Sequence, residues 1–102
     1  MILIIGKQEV DAQSVSEGTF LSPTGITLRQ LTITFTIEGI NASDQYNRLA
    51  RQAKKNGLIS RDTGSEIEWE LYDETGTTWE GVNDYLVYTS LWTLREKENS
   101  QE

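Results

Sequence analysis

From Leu31 to Glu38 apolar and polar positions alternate without a break: Leu31, Ile33, Phe35 and Ile37 against Thr32, Thr34, Thr36 and Glu38. A period of two with β-branched residues on the second face is the pattern of a half-buried β-strand. Upstream, Ile26 and Leu28 fall on the opposite phase. Either a bulge near Arg29–Gln30 resets the register, or the strand passes from one neighbour to another there. Ser22-Pro23-Thr24-Gly25 reads as a turn, with proline at its first central position and glycine closing it. Residues 15–21 are the expected partner strand before it, with Phe20 toward the core. Residues 2–5 are expected as an edge or closing strand, with Gly6-Lys7 as a turn after them.

Beyond this the period changes. Tyr46, Leu49, Ala50 and Ala53 recur at helical spacing, which predicts one helix over residues 42–56 with two small residues for close packing. Asn41 is the expected N-cap, and Asp44 favours the first turn and its dipole. Arg48, Arg51, Lys54 and Lys55 lie toward the other faces of that helix. Gly57 is expected as the left-handed residue that ends it, with Leu58 as the hydrophobic contact.

The remainder predicts antiparallel hairpins. A short strand at 58–60 leads into a turn at Arg61-Asp62-Thr63-Gly64. Ile67, Trp69 and Leu71 then alternate with Glu66, Glu68 and Glu70. Asp73-Glu74-Thr75-Gly76 is expected as a hairpin turn, with residues 77–82 returning and Trp79 on one face. Residues 85–94 carry Leu86, Tyr88, Trp92 and Leu94 on one face and Val87 and Leu91 on the other. That suits a central strand covered on both sides, or one whose second face meets a partner. Residues 1–95 are thus expected as a single β-rich domain, and the charged segment 96–102 as a disordered tail. The fold class is α+β, mainly antiparallel: a β-sandwich or partly open barrel of about six or seven strands with one flanking helix.

The chain has 102 residues, near the commonest domain size, and can bury roughly two thirds of its unfolded surface. It contains no cysteine and no histidine, so disulfides, the usual neutral-pH proton shuttle and the commonest transition-metal ligand are excluded. A net charge of −7 argues against nucleic acid, whose binding rests on a basic footprint. The apolar run at residues 2–5 is too short for a signal-peptide core or a membrane span, so synthesis in the cytoplasm is expected.

Charge is strongly segregated. Five of the nine basic residues (Arg48, Arg51, Lys54, Lys55 and Arg61) fall within fourteen positions, and residues 62–94 then carry eight acids and no base. One basic element beside a broad acidic surface suits charge-complementary contact with copies of the chain or a defined partner. The candidate contact residues are Arg48, Arg51, Lys54 and Lys55 on the helix, and Glu66, Glu68, Glu70, Asp73 and Glu74 on an acidic hairpin.

Catalytic and ligand-binding readings are weaker. Asp62-Thr63-Gly64-Ser65 matches the Asp-Thr-Gly signature of aspartic proteases, whose chemistry needs two such aspartates sharing a proton. Here the aspartate follows Arg61 where that family has apolar strand residues, and Asp, Thr and Gly are ordinary turn residues. Glu66, Glu68 and Glu70, with Asp73 and Glu74 nearby, resemble a hard-cation site in composition only. Same-face strand neighbours stand roughly 7 Å apart, and a solvated strand face that discourages edge pairing accounts for them. Trp69, Trp79 and Trp92, with Tyr72, Tyr85 and Tyr88, fit core and cross-strand pairs better than a stacking platform. Without a Gly-rich phosphate loop, nucleophile elbow or metal-binding cluster, the chain is expected to be non-enzymatic and to take no cofactor.

The order of elements resembles that of small tail- and neck-associated structural proteins of tailed bacteriophages and prophages. The likeness is carried by Leu31-Thr-Ile-Thr-Phe-Thr-Ile37, the helix at 42–56, Ile67-Glu-Trp-Glu-Leu-Tyr-Asp73 and residues 77–82, and spans about residues 1–95. It implies a sandwich or barrel with a flanking helix that forms a ring or docks onto one, first in the host cytoplasm and then in the virion. Its partners would be itself as a homo-oligomer and other tail proteins, with no nucleic acid, membrane or small-molecule substrate. Two other functions suit the residues: a small acidic inhibitor or adaptor mimicking nucleic acid on a basic protein, and a carbohydrate-binding module using the aromatic residues.

Overall fold

The computed structural model describes residues 1–62 and 65–98 of the chain. In order they form β1 (Ile2–Ile5), β2 (Gln8–Asp11), β3 (Ser14–Leu21), β4 (Thr27–Gly39), α1 (Ala42–Asn56), β5 (Leu58–Asp62), β6 (Ser65–Val82) and β7 (Tyr85–Glu96). All seven strands belong to one antiparallel sheet, ordered β2-β1-β5-β6-β7-β4-β3. The sheet curls into a half-barrel with a single helix, an α+β fold of the expected class. Of the two arrangements anticipated, it is the partly open barrel.

The curl has a covalent cause. β2 and β3 lie at opposite ends of the strand order, yet only Ala12 and Gln13 separate them. The Ala12 N–H donates to the Met1 carbonyl (3.0 Å) and the Gln13 N–H to the Thr34 carbonyl (2.7 Å). One residue therefore serves each margin, and the two edges of the sheet are held together at that corner.

The odd positions of β4 face the concavity, where Leu31, Ile33 and Phe35 are fully buried. They lie opposite Leu94, Trp92 and Ser90 of β7. Tyr46, Leu49, Ala50 and Ala53 of α1 fill the space above them, the stripe that the helical period picks out. Trp92 stands edge-on to Phe35 with ring centroids 4.8 Å apart, a favoured aromatic geometry. On the convex side, threonines of β4 and β7 pair across the strands, as at Thr32–Thr93 and Thr36–Thr89. Val87 and Leu91 lie half-buried on that side.

Several expectations are corrected. β1 is an interior strand, flanked by β2 and β5, and the edge is β2, whose polar sequence hid it. The phase change before Arg29–Gln30 is a change of neighbours. β3 covers β4 from Thr27, whereas β7 joins at Gln30, and both ladders run without a register shift. Phe20 does not face the core; its ring lies beneath the Arg95 guanidinium at 4.4 Å. Asn41 precedes the helix, but its side chain makes no cap hydrogen bond; the Gln45 N–H bonds to its carbonyl (3.0 Å). Gly57 has the positive φ expected (71°), but its ψ of −169° is extended, so the chain leads straight into β5.

The largest correction concerns Asp73–Gly76. No turn forms there. β6 runs on to Val82, taking up two irregularities against β7, between Leu71 and Asp73 and between Thr75 and Thr78. Gly76 (φ 66°) lies in the second, because a glycine with positive φ serves a bulge as readily as a turn. The reversal comes at Asn83-Asp84, both with positive φ (52° and 67°), the requirement of a two-residue hairpin turn. Arg61 and Asp62 of the expected turn before β6 belong to β5, while Thr63 and Gly64, which complete that turn and the Asp-Thr-Gly motif, lie outside the described residues. At the other end β7 extends through Glu96, and the Lys97 N–H still donates to the Glu68 carbonyl (3.1 Å). Residues 99–102 of the expected tail lie outside the described residues.

Candidate functional site

α1 buries its tyrosine, leucine and alanine stripe and turns Arg48, Arg51 and Lys55 to solvent. No carboxylate of the described residues forms an ion pair with these three. Arg48, Arg51 and Lys55 line a shallow depression with Gln52 and Asn56. A second depression lies beside it, lined by Ile5, Lys7, Gln8, Arg48, Leu49 and Gln52. Four cations thus surround this surface, beneath which Ile5 and Leu49 are buried in the core.

Lys54 is different. Its Nζ binds Glu74 Oε1 at 2.8 Å, so one residue of the expected basic surface neutralises one of the expected acidic surface. The reason lies in the first irregularity of β6. Glu66, Glu68 and Glu70 alternate with inward Trp69 and point to the convex side, but the shift between Leu71 and Asp73 reverses the phase. Asp73 then lies opposite Thr93 on the convex side, and Glu74 lies opposite inward-facing Trp92. Glu66 is also paired, to Arg61 at 2.9 Å. Glu68, Glu70 and Asp73 remain exposed without an ion pair among the described residues. The expected acidic group is therefore split between two faces, and no cluster of described residues converges to hold a metal ion.

Glu74 belongs to a polar network inside the half-barrel. The Tyr46 hydroxyl donates to Glu74 Oε2 (2.6 Å) and accepts from Trp92 Nε1 (3.1 Å). Burial and the Glu74 hydrogen bond push the Tyr46 phenol up to about 12. Burial also works to raise the Glu74 carboxyl, but the Lys54 and Tyr46 hydrogen bonds and the Lys54 charge together hold it below its ordinary value. This network clasps the helix to the sheet.

The end of the β6–β7 hairpin supplies a feature that periodicity misses. Ile40 and Val82 are each 73% exposed, Trp79 47% and Tyr85 48%. Trp79 lies opposite Tyr88 on the concave side, with ring centroids 4.2 Å apart, and Tyr88 in turn meets Tyr46 at 4.3 Å. Val82 and Tyr85 lie opposite each other beside the turn. The Tyr85 hydroxyl donates to Glu38 Oε2 at 3.2 Å. Trp69 and Trp92 are fully buried, which leaves Trp79 as the exposed indole. The signal for this tip was Val82-Asn83-Asp84-Tyr85, two turn residues between apolar ones, which Gly76 masked.

No helix among the described residues is long and apolar enough to cross a membrane. Comparison of the chain with protein-family models, with curated proteins and with solved structures gives no match, so residues and geometry alone carry a functional reading.

Proposed function

We propose that the chain is a non-enzymatic structural or assembly protein that works through protein–protein contacts, one of them with a second copy of itself. The observation that carries this reading is the division of charge between elements. The exposed face of α1 presents Arg48, Arg51 and Lys55 without ion-pair partners among the described residues, while the β6–β7 ribbon carries acids and no base from Glu66 to Leu94. Two unlike surfaces on one molecule make a head-to-tail contact, which closes into a ring where the rotation allows. Placement in a phage or prophage tail or neck rests on the likeness of element order alone.

Charge reversal of the helix face tests the proposal. Arg48, Arg51 and Lys55 are exposed, so replacing all three with Glu leaves the core untouched. The expected result is loss of self-association at low salt by a protein that keeps a folded circular dichroism spectrum, with a somewhat lower melting temperature because the new acids repel one another along the helix and oppose its C-terminal dipole. Wild-type self-association in the reversed protein would end the reading.

A further inference from the structure

We infer that the tip of the β6–β7 hairpin is the anchor of the self-contact, and that it seats on the basic helix face of a second copy. The inference rests on the assembly reading above and names the surface that meets the helix. Glu68, Glu70 and Asp73 present charge, the exposed Tyr72 ring between them is already stacked with the Arg95 guanidinium at 3.5 Å, and exposed ion pairs contribute little to affinity. Aromatic residues that lose their water on association contribute most, with ion pairs around them supplying register. The hairpin tip combines the two. Trp79 covers its concave side, Val82 and Tyr85 flank the turn, and Ile40 follows β4 at the same end. Every charged residue in the segments that build it, 38–44 and 79–86, is an acid: Glu38, Asp44, Glu80 and Asp84.

The complementary surface is on the same molecule. Lys7, Arg48 and Arg51 border the depressions along α1, and Ile5 and Leu49 line the one nearer β1. An apolar finger ringed by acids meets a depression ringed by bases, and the apolar surface it finds there is the methylene stems of those long side chains, since Ile5 and Leu49 are themselves buried. The finger is held firmly: Trp79 packs on Tyr88, Tyr88 on Tyr46, and Tyr46 is bonded to Trp92 and Glu74. Little side-chain freedom is then lost on docking, which favours the contact.

The experiment compares three variants of the full chain by light scattering across protein concentration: Trp79→Ser, Val82→Ser, and Glu68→Gln/Glu70→Gln/Asp73→Asn. Val82 is largely exposed, so its replacement reports on the contact even where Trp79→Ser loosens the hairpin. Trp79→Ser is expected to weaken self-association by about 30-fold, as for an aromatic anchor, and Val82→Ser by about fivefold. The triple variant is expected to change it less than about threefold, in keeping with exposed charges. Acrylamide quenching of tryptophan emission gives a direct reading, because Trp79 is the exposed indole and its quenching should fall as the wild-type protein associates. Wild-type association in both tip variants, or quenching that does not change as mass rises, would overturn the inference while leaving helix-mediated assembly standing. Loss of assembly in the triple variant alone would move the anchor to the convex face. A protein monomeric at every concentration would instead remove the assembly reading itself.

Discussion

Tyr46 is the residue on which helix, sheet and charge converge. Its ring packs in the core against Tyr88 and Trp92, and its hydroxyl stands between a carboxylate and an indole N–H. Tyr46→Phe keeps the ring but leaves the Trp92 N–H buried without an acceptor. A loss of about 1–3 kcal/mol is expected in denaturant unfolding; a change within a few tenths would show that the network contributes nothing. The pH dependence follows from the same group. The neutral phenol is favoured in the fold, so its contribution is full below pH 10 and fades as pH rises toward about 12. Ultraviolet titration should find one tyrosine ionising well after the ordinary range, absent in Tyr46→Phe. Glu74 has the opposite sign. Its carboxyl lies below the ordinary 4.5, so its stabilisation is present above that value and disappears as pH falls through the folded-state pKa. Glu74→Gln should therefore destabilise the protein at neutral pH and converge with the wild type in acid. Tyr46 was legible as core from helical spacing, whereas Glu74 was not. A strict period of two counted from Trp69 places Glu74 outside with Glu68 and Glu70, and one extra residue in the strand reverses it.

Among the elements, β4 from Leu31 onward and α1 were legible because each carries an unbroken period there, and β7 because its inner face does. β6 was not, since its bulge glycine and its acids imitate a turn. The junction of α1 with β5 shows how a local requirement serves the fold. Gly57 combines φ 71° with ψ −169°, a region almost confined to glycine, and an added Cβ would lie 2.9 Å from the Trp69 carbonyl oxygen. Gly57→Ala is expected to cost about 1–3 kcal/mol in thermal or denaturant unfolding. An effect below about 0.5 kcal/mol would mean that the backbone there can relax. Gly76→Ala meets the Leu91 Cβ at 3.2 Å, so it should also destabilise, and chiefly the hairpin tip. Hydrogen exchange should place that opening in residues 74–90 and leave β1 and β5 protected.

At the scale of the whole molecule, alternation shows that strands exist but not how they are ordered. The sheet curls into a half-barrel whose margins meet at one corner, where Ala12 and Gln13 carry the chain from one margin to the other, and nothing in two ordinary residues announces that. Segregation of charge was legible from the sequence, but which charges stay free was not. Lys54, Arg61, Glu66 and Glu74 are satisfied within the chain, leaving the helix face and the hairpin to look outward. The central claim is that these surfaces bring copies together, and mass measured by light scattering on a sizing column tests it most directly. The protein should run as an oligomer at low salt that shrinks in about 0.5 M salt, where charges more than about 4 Å apart are screened. A monomer of the same mass under both conditions, at high protein concentration, would contradict the account and turn attention to a basic protein partner.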